Sequence, residues 1–142
     1  MKKTAFIAST ILIAGCSTIN NVTPASKSEN IQQVCIVNNP KVKYSEAQEV
    51  IREGFGRRGI STTVVKSQDA CPISLTYTAR RSWHFASYLG RFEMHLWKDG
   101  IKIASAEYAQ RHWDPTKWGN TRGRMEAMVN KLLADYPVLP PR

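Results

Sequence analysis

From residue 31 onward the apolar positions fall into runs whose period identifies each element. Residues 31–37 end in Val34, Cys35, Ile36 and Val37, four apolar residues in succession, as in a strand covered on both faces. Asn38-Asn39-Pro40 ends that strand. Ala47, Val50, Ile51 and Phe55 then share one face at helical spacing, with Glu46, Glu49, Arg52 and Glu53 mainly elsewhere around the helix. Ser45 and Gln48 have the spacing of a capping box at its start. Arg57 and Arg58 stand where the helix dipole favours cations, and Gly59 supplies a left-handed stop. Residues 60–66 are β-branched enough to predict a strand, followed by a polar turn through Ser67, Gln68 and Asp69. Ile73, Leu75, Tyr77 and Ala79 alternate with Ser74, Thr76, Thr78 and Arg80, so one face of that strand is buried and the other wet. Asp99-Gly100 between residues 91–98 and 101–108 predicts a type I′ hairpin, whose two central residues need positive φ. A two-residue loop there sets Leu96 opposite Ile103, Met94 opposite Ser105, His95 opposite Ala104 and Trp97 opposite Lys102. Met125, Met128, Val129, Leu132, Leu133 and Tyr136 form an amphipathic helix stopped by Pro137.

The resulting order, βαββββα, predicts a single α+β domain over residues 31–137. Its expected form is a two-layer sandwich, with a mixed or antiparallel sheet of four to five strands and both helices on one face. The first strand–helix–strand unit can be a right-handed parallel crossover. In element order this is similar to small envelope lipoproteins, a likeness carried by no motif. Residues 138–142 are a short proline-rich tail. Residues 16–30, rich in Ser, Thr and Asn, read as a flexible tether behind Cys16.

The N-terminus has its own pattern. Lys2 and Lys3 precede an uncharged run over residues 4–15, and small residues stand just before a cysteine, the layout of an export signal. The run is shorter than the ~20 apolar residues of a membrane-spanning helix. Leu12-Ile13-Ala14-Gly15-Cys16 resembles the lipobox of bacterial lipoproteins, at which signal peptidase II cuts before the cysteine. The resemblance implies that residues 1–15 are a signal peptide. It also implies that the Cys16 thiol carries diacylglycerol and the new amine an acyl chain such as palmitate. An aspartate after the cysteine usually retains such a protein at the inner membrane. Ser17 therefore points to the outer membrane of a Gram-negative cell, the domain facing the periplasm. The competing reading is a buried helix ending at a structural cysteine.

With export, Cys35 and Cys71 remain as an even pair in an oxidising compartment, which predicts a disulfide; two separate buried thiols are the alternative. Removing residues 1–15 leaves 127 residues, about one ordinary domain, and lowers the formal charge from +9 to +7. That balance favours anionic partners, or is simply a soluble basic surface. Two stretches concentrate the candidate chemistry. One runs Arg80-Arg81-Ser82-Trp83-His84-Phe85, with Tyr88 and Arg91 following. The other runs Arg111-His112-Trp113-Asp114-Pro115-Thr116-Lys117-Trp118, with Arg122 and Arg124 beyond. If both are loops at one end of the sheet, they form a basic, aromatic rim suited to phosphate, carboxylate or sugar. The alternative makes Trp83, Phe85 and Trp113 plugs for the open end of the core. Arg80, Arg81, Trp83, Arg111, Trp113, Lys117 and Trp118 are the expected contact residues.

His84, His95 and His112 show no metal-ligand spacing, and no metal or cofactor is expected beyond the covalent lipid. Glu93 and Glu107 approach each other across the hairpin as surface charges. No catalytic residue is assigned. The sequence thus reads as a non-catalytic, lipid-anchored envelope domain that binds an envelope protein or an anionic glycan or lipid, and not nucleic acid. Its alternative is a small envelope hydrolase or glycan-modifying enzyme using His112 and Asp114.

Overall fold

The computed structural model describes residues 18–111 and 113–141. These form an α+β fold, a mixed six-stranded sheet with two helices. In chain order the elements are β1 (Thr18–Thr23), β2 (Gln33–Val37), α1 (Glu46–Gly56), β3 (Ser61–Val65), β4 (Ile73–His84), β5 (Ala86–Lys98), β6 (Ile101–Gln110) and α2 (Thr121–Leu132). The strands lie in the order β1-β6-β5-β4-β2-β3. β2 runs parallel to both β3 and β4, and every other pair is antiparallel.

The period-2 pattern puts Val34, Ile36, Leu75, Tyr77, Phe92, Met94, Leu96, Ala104, Ala106 and Tyr108 into the core. Ala47, Val50, Ile51 and Phe55 of α1 and Met125, Met128, Val129 and Leu132 of α2 close it from the helix layer. The helices pack on each other at Gly54, where an added Cβ would lie 2.2 Å from Val129 Cγ1. Gly59, at φ 72°, ends α1 as read from the sequence. The Gly59 N–H bonds to Gly56 O and the Ile60 N–H to Phe55 O, with both Ile60 and Phe55 buried. Arg58 donates to Gly54 O, Leu133 O and Tyr136 O, so one guanidinium caps the C-terminal ends of both helices. The capping box does not form. Ser45 already has helical dihedrals (φ −61°, ψ −31°), and its hydroxyl caps nothing.

Cys35 and Cys71 form the expected disulfide, with Cα atoms 6.1 Å apart. β2 and β4 share only two paired rungs, Cys35↔Ser74 and Ile36↔Leu75. The bond therefore reinforces the narrow seam between the parallel and antiparallel parts of the sheet. For its sequence separation of 36 residues, the chain-entropy model gives about 3–4 kcal/mol.

Three further expectations are corrected. The supposed tether is largely built into the domain. β1 pairs with β6 from Thr18↔Gln110 to Thr23↔Ser105 and so covers the hairpin's outer edge. Ala25 is buried and its N–H donates to Leu132 O, while the Tyr136 hydroxyl accepts from Ile31 N and donates to Ser26 O. An edge strand needs partners on one side only, and a segment as polar as Thr-Ile-Asn-Asn-Val-Thr suffices.

The second correction concerns register. Trp97 faces Lys102, but a bulge then sets Leu96 opposite Ala104, His95 opposite Ser105 and Met94 opposite Ala106. Unbulged, Met94 would press against Ser105 in the core; the extra residue, Ile103, brings Ala104 and Ala106 inward instead. Apolar patterning overrides the turn. The third correction is that residues 80–91 are no loop: β4 and β5 run on to a tip at Phe85.

Candidate functional site

The β5–β6 ladder ends at Arg91↔Ala109, whereas β4 and β5 continue through Arg81↔Leu89, Ser82↔Tyr88, Trp83↔Ser87 and His84↔Ala86. The β4–β5 hairpin thus projects beyond the end of β6. A second bulge, at Gly90, sets its course. A Cβ at Gly90 would fall 2.0 Å from Ser82 Oγ, so only glycine fits without movement. Beyond the bulge the Arg81 guanidinium lies 4.9 Å above the Tyr44 ring. Burial pushes the Tyr44 phenol pKa up, and Arg81 partly counters that. Phe85 turns the chain at φ 60°.

The second stretch is folded onto this hairpin by a polar network. The buried Asp114 carboxylate accepts from Thr116 N (2.8 Å), Thr116 Oγ1 (2.7 Å) and Gln110 Nε2 (2.6 Å). Arg124, on the first turn of α2, donates to the Tyr108 hydroxyl, Gln110 Oε1 and Thr116 O. Burial pushes the Tyr108 phenol pKa up, and the Arg124 hydrogen bond counters part of the rise. Asn120 caps α2 by accepting from Gly123 N at 3.0 Å.

The two stretches meet at His84. Lys117 Nζ donates to His84 Nδ1 at 2.9 Å, since an ammonium can only donate. Trp118 Nε1 donates to His84 O at 2.8 Å, and the indole lies nearly parallel to the imidazole with centroids 6.1 Å apart. Lys117 Nζ also sits 4.7 Å from the Trp118 ring centre and 5.5 Å from that of Tyr88. The junction is firm, and what it carries faces outward. Trp83 is 73% exposed, Phe85 84%, Trp113 89% and Trp118 43%. Arg80, Arg81 and Arg111 are exposed among them.

The structure therefore brings the two stretches to one end of the sheet, as a crown of aromatic and basic side chains. It also corrects two details. Trp83, Phe85 and Trp113 are not plugs, because Tyr88, Leu89 and Tyr44 take the buried positions. Lys117, expected as a contact residue, is only 3% exposed and braces the crown from within. Cys16 and His112 lie outside the described residues, while Asp114 organises the loop turn. Glu93 and Glu107 are directly paired across β5 and β6, and Glu93 also accepts from Arg91 (2.7 Å) and Thr78 Oγ1 (3.2 Å). Among the described residues no three His, Cys, Asp or Glu gather as metal ligands, and no helix is long and apolar enough to cross a membrane. Tyr44 and Gly90 had no place in the expected site, and Tyr88 and Arg124, which stood in the two stretches, turn out to be buried or bracing rather than contact residues. Gly90, between Leu89 and Arg91 in a strand-like stretch, was the available signal for a bulge. Arg124 was visible only as one more cation.

No family model matches the chain, and no curated protein matches it significantly. Among solved structures it is similar to the PelC dodecamer from Paraburkholderia phytofirmans, with a TM-score of 0.58 at 10% identity over 87% of this chain and 99% of that one. A point variant of that dodecamer gives 0.57 at 10% identity, covering 84% and 96%. A minor lipoprotein from Acinetobacter baumannii aligns over 73% of this chain and 82% of its own at 16% identity, with a TM-score of 0.32. At such identities the likeness to PelC is one of fold.

Proposed function

We propose that this chain is a lipid-anchored protein of the cell envelope whose domain binds or scaffolds without catalysis, its crown contacting an anionic envelope component. The supporting observation is the gathering of Trp83, Phe85, Trp113 and Trp118 with Arg80, Arg81 and Arg111 on a braced base. Single exposed apolar residues are ordinary, whereas four exposed aromatic rings with three exposed arginines at one end of a sheet suit an interaction surface. Guanidinium forks match phosphate or carboxylate, and indole faces stack on sugars or cations. In this reading Cys16 carries the lipid, and the domain faces the periplasm from the outer membrane. PelC, whose fold this chain resembles, forms a dodecamer. A comparable assembly here would set several crowns side by side and multiply a weak contact. The native mass of the lipidated protein in detergent tests that part.

The function is tested by photocrosslinking in isolated envelopes. A photoreactive residue replaces the exposed Ser87, and the captured species, whether protein, glycan or lipid, is compared with that from an Arg80→Gln/Arg81→Gln/Arg111→Gln background. Lys117 is left intact because it is buried. Capture that fades with salt and with the three substitutions is expected. No capture, or capture indifferent to the arginines, would reject the crown as the contact surface.

A further inference from the structure

We infer that the component met by the crown is the membrane itself, the anionic headgroup layer in which the Cys16 lipid is seated. This rests on the anchored reading of Cys16 and adds an orientation to it.

The inference begins with connectivity. Thr18 opens β1 and pairs with Gln110, the last residue of β6, immediately before Arg111 and the crown's second stretch. Cys16 precedes Thr18 by two residues, so their Cα atoms can be no more than about 7 Å apart. An anchor that short fixes which end of the sheet meets the bilayer, and that end carries Trp83, Phe85, Trp113 and Trp118. The Asp99-Gly100 turn and the disulfide lie at the other end. β5, with 13 residues, separates the two ends by about 40 Å.

The side chains at the anchored end suit that position. Indole and phenyl rings with one polar edge or a cation beside them settle at headgroup depth, below the phosphates and above the acyl tails. Arg80, Arg81 and Arg111 are exposed at the same end, and guanidinium groups there suit those phosphates. Phe85 leads at the hairpin tip, and bracing of the tip by Lys117 and Trp118 keeps the rings from folding back onto the protein. The acyl chains hold the protein at the membrane. The crown sets the angle at which the sheet stands and so directs the opposite end into the periplasm.

Trp97 provides an internal control. It lies on β5 two residues from Asp99, with Nε1 bonded to Thr76 Oγ1 at 2.9 Å, at the end away from the anchor. The lipidated mature protein is reconstituted into vesicles of phosphatidylethanolamine and phosphatidylglycerol, with and without brominated acyl chains that quench nearby tryptophan. Trp97→Phe leaves the crown indoles as emitters, and Trp83→Phe/Trp113→Phe/Trp118→Phe leaves Trp97 alone. Both should float with the vesicles. The first should be blue-shifted and strongly quenched by bromolipid, the second scarcely quenched. Replacing phosphatidylglycerol by phosphatidylcholine should reduce the quenching of the first. Acylated protein that floats with its crown indoles unquenched would overturn the inference and leave the anchored reading standing, as would equal quenching of both variants. An unacylated Cys16 would overturn the anchored reading, and the orientation would fall with it.

Discussion

β5 ends in two tight turns, and they obey different rules. At Asp99-Gly100 the backbone takes φ 49° and 80°, in residues that enter the left-handed region at little cost. At the other end Phe85 adopts φ 60°, where a bulky side chain costs about 1–2 kcal/mol, and its ring is left exposed. The first turn is chosen for folding. The second keeps a residue that is poor for folding and contributes little to the core. Strain retained beside a patch of exposed aromatics points to selection by something outside the chain. The two ends are also secured differently, one by a covalent bond and the other by the Asp114, Arg124 and Lys117 side-chain network.

Breaking the covalent end should have the largest effect. Cys35→Ala with Cys71→Ala should cost about 3–4 kcal/mol in urea denaturation, because the unfolded chain regains the entropy the bond removes. Crown crosslinking should be unchanged at low denaturant, since the disulfide lies at the far end. Loss of crosslinking in a still-folded variant would show that the ends are coupled. Next is Asp114→Ala, which strips three accepted bonds from a buried site and should cost about 2–3 kcal/mol. Its damage should be local, read as faster proteolysis within residues 111–119 and easier acrylamide quenching of Trp118. A cooperative loss of the whole domain's protection would contradict that picture. Gly90→Ala forces a Cβ onto Ser82 and should cost about 1–2 kcal/mol. Pairing it with Ser82→Gly, which removes the colliding atoms, should recover a good part of the loss. Additive losses in that double-mutant cycle would mean the bulge is held by something else.

The same contrast explains how far the sequence could be read. At the far end and in the core, function and folding ask for the same residues. The helical faces, the Gly59 stop, the Asp99-Gly100 turn and the cysteine pair were therefore legible from period and local chemistry. β1 was hidden because an edge strand of Asn and Thr looks like a linker until β6 is there to receive it. The register at Leu96 was hidden because the turn and the apolar pattern disagree by one residue, and only packing decides between them. At the crown the residue types were legible and their direction was not. A run of tryptophan and phenylalanine is equally suited to closing a core or to facing outward. The difference lay in Gly90, in Arg124 and in a lysine that turned inward.

The smallest expected effect bears most directly on the contrast between the turns. Phe85→Asn replaces a residue strained at positive φ by one that tolerates it, and it removes an exposed side chain that meets the His84 ring edge-on at 4.6 Å. Losing that contact should take back part of the relief, so the net change should be a gain of about 0.5–1 kcal/mol. Crosslinking at Ser87 and bromolipid quenching of the crown indoles should meanwhile decline. Opposite signs for stability and contact are what a residue kept for an external surface produces. If Phe85→Asn instead destabilised the fold, the ring would belong to the architecture, and the two turns would differ only in how they are packed.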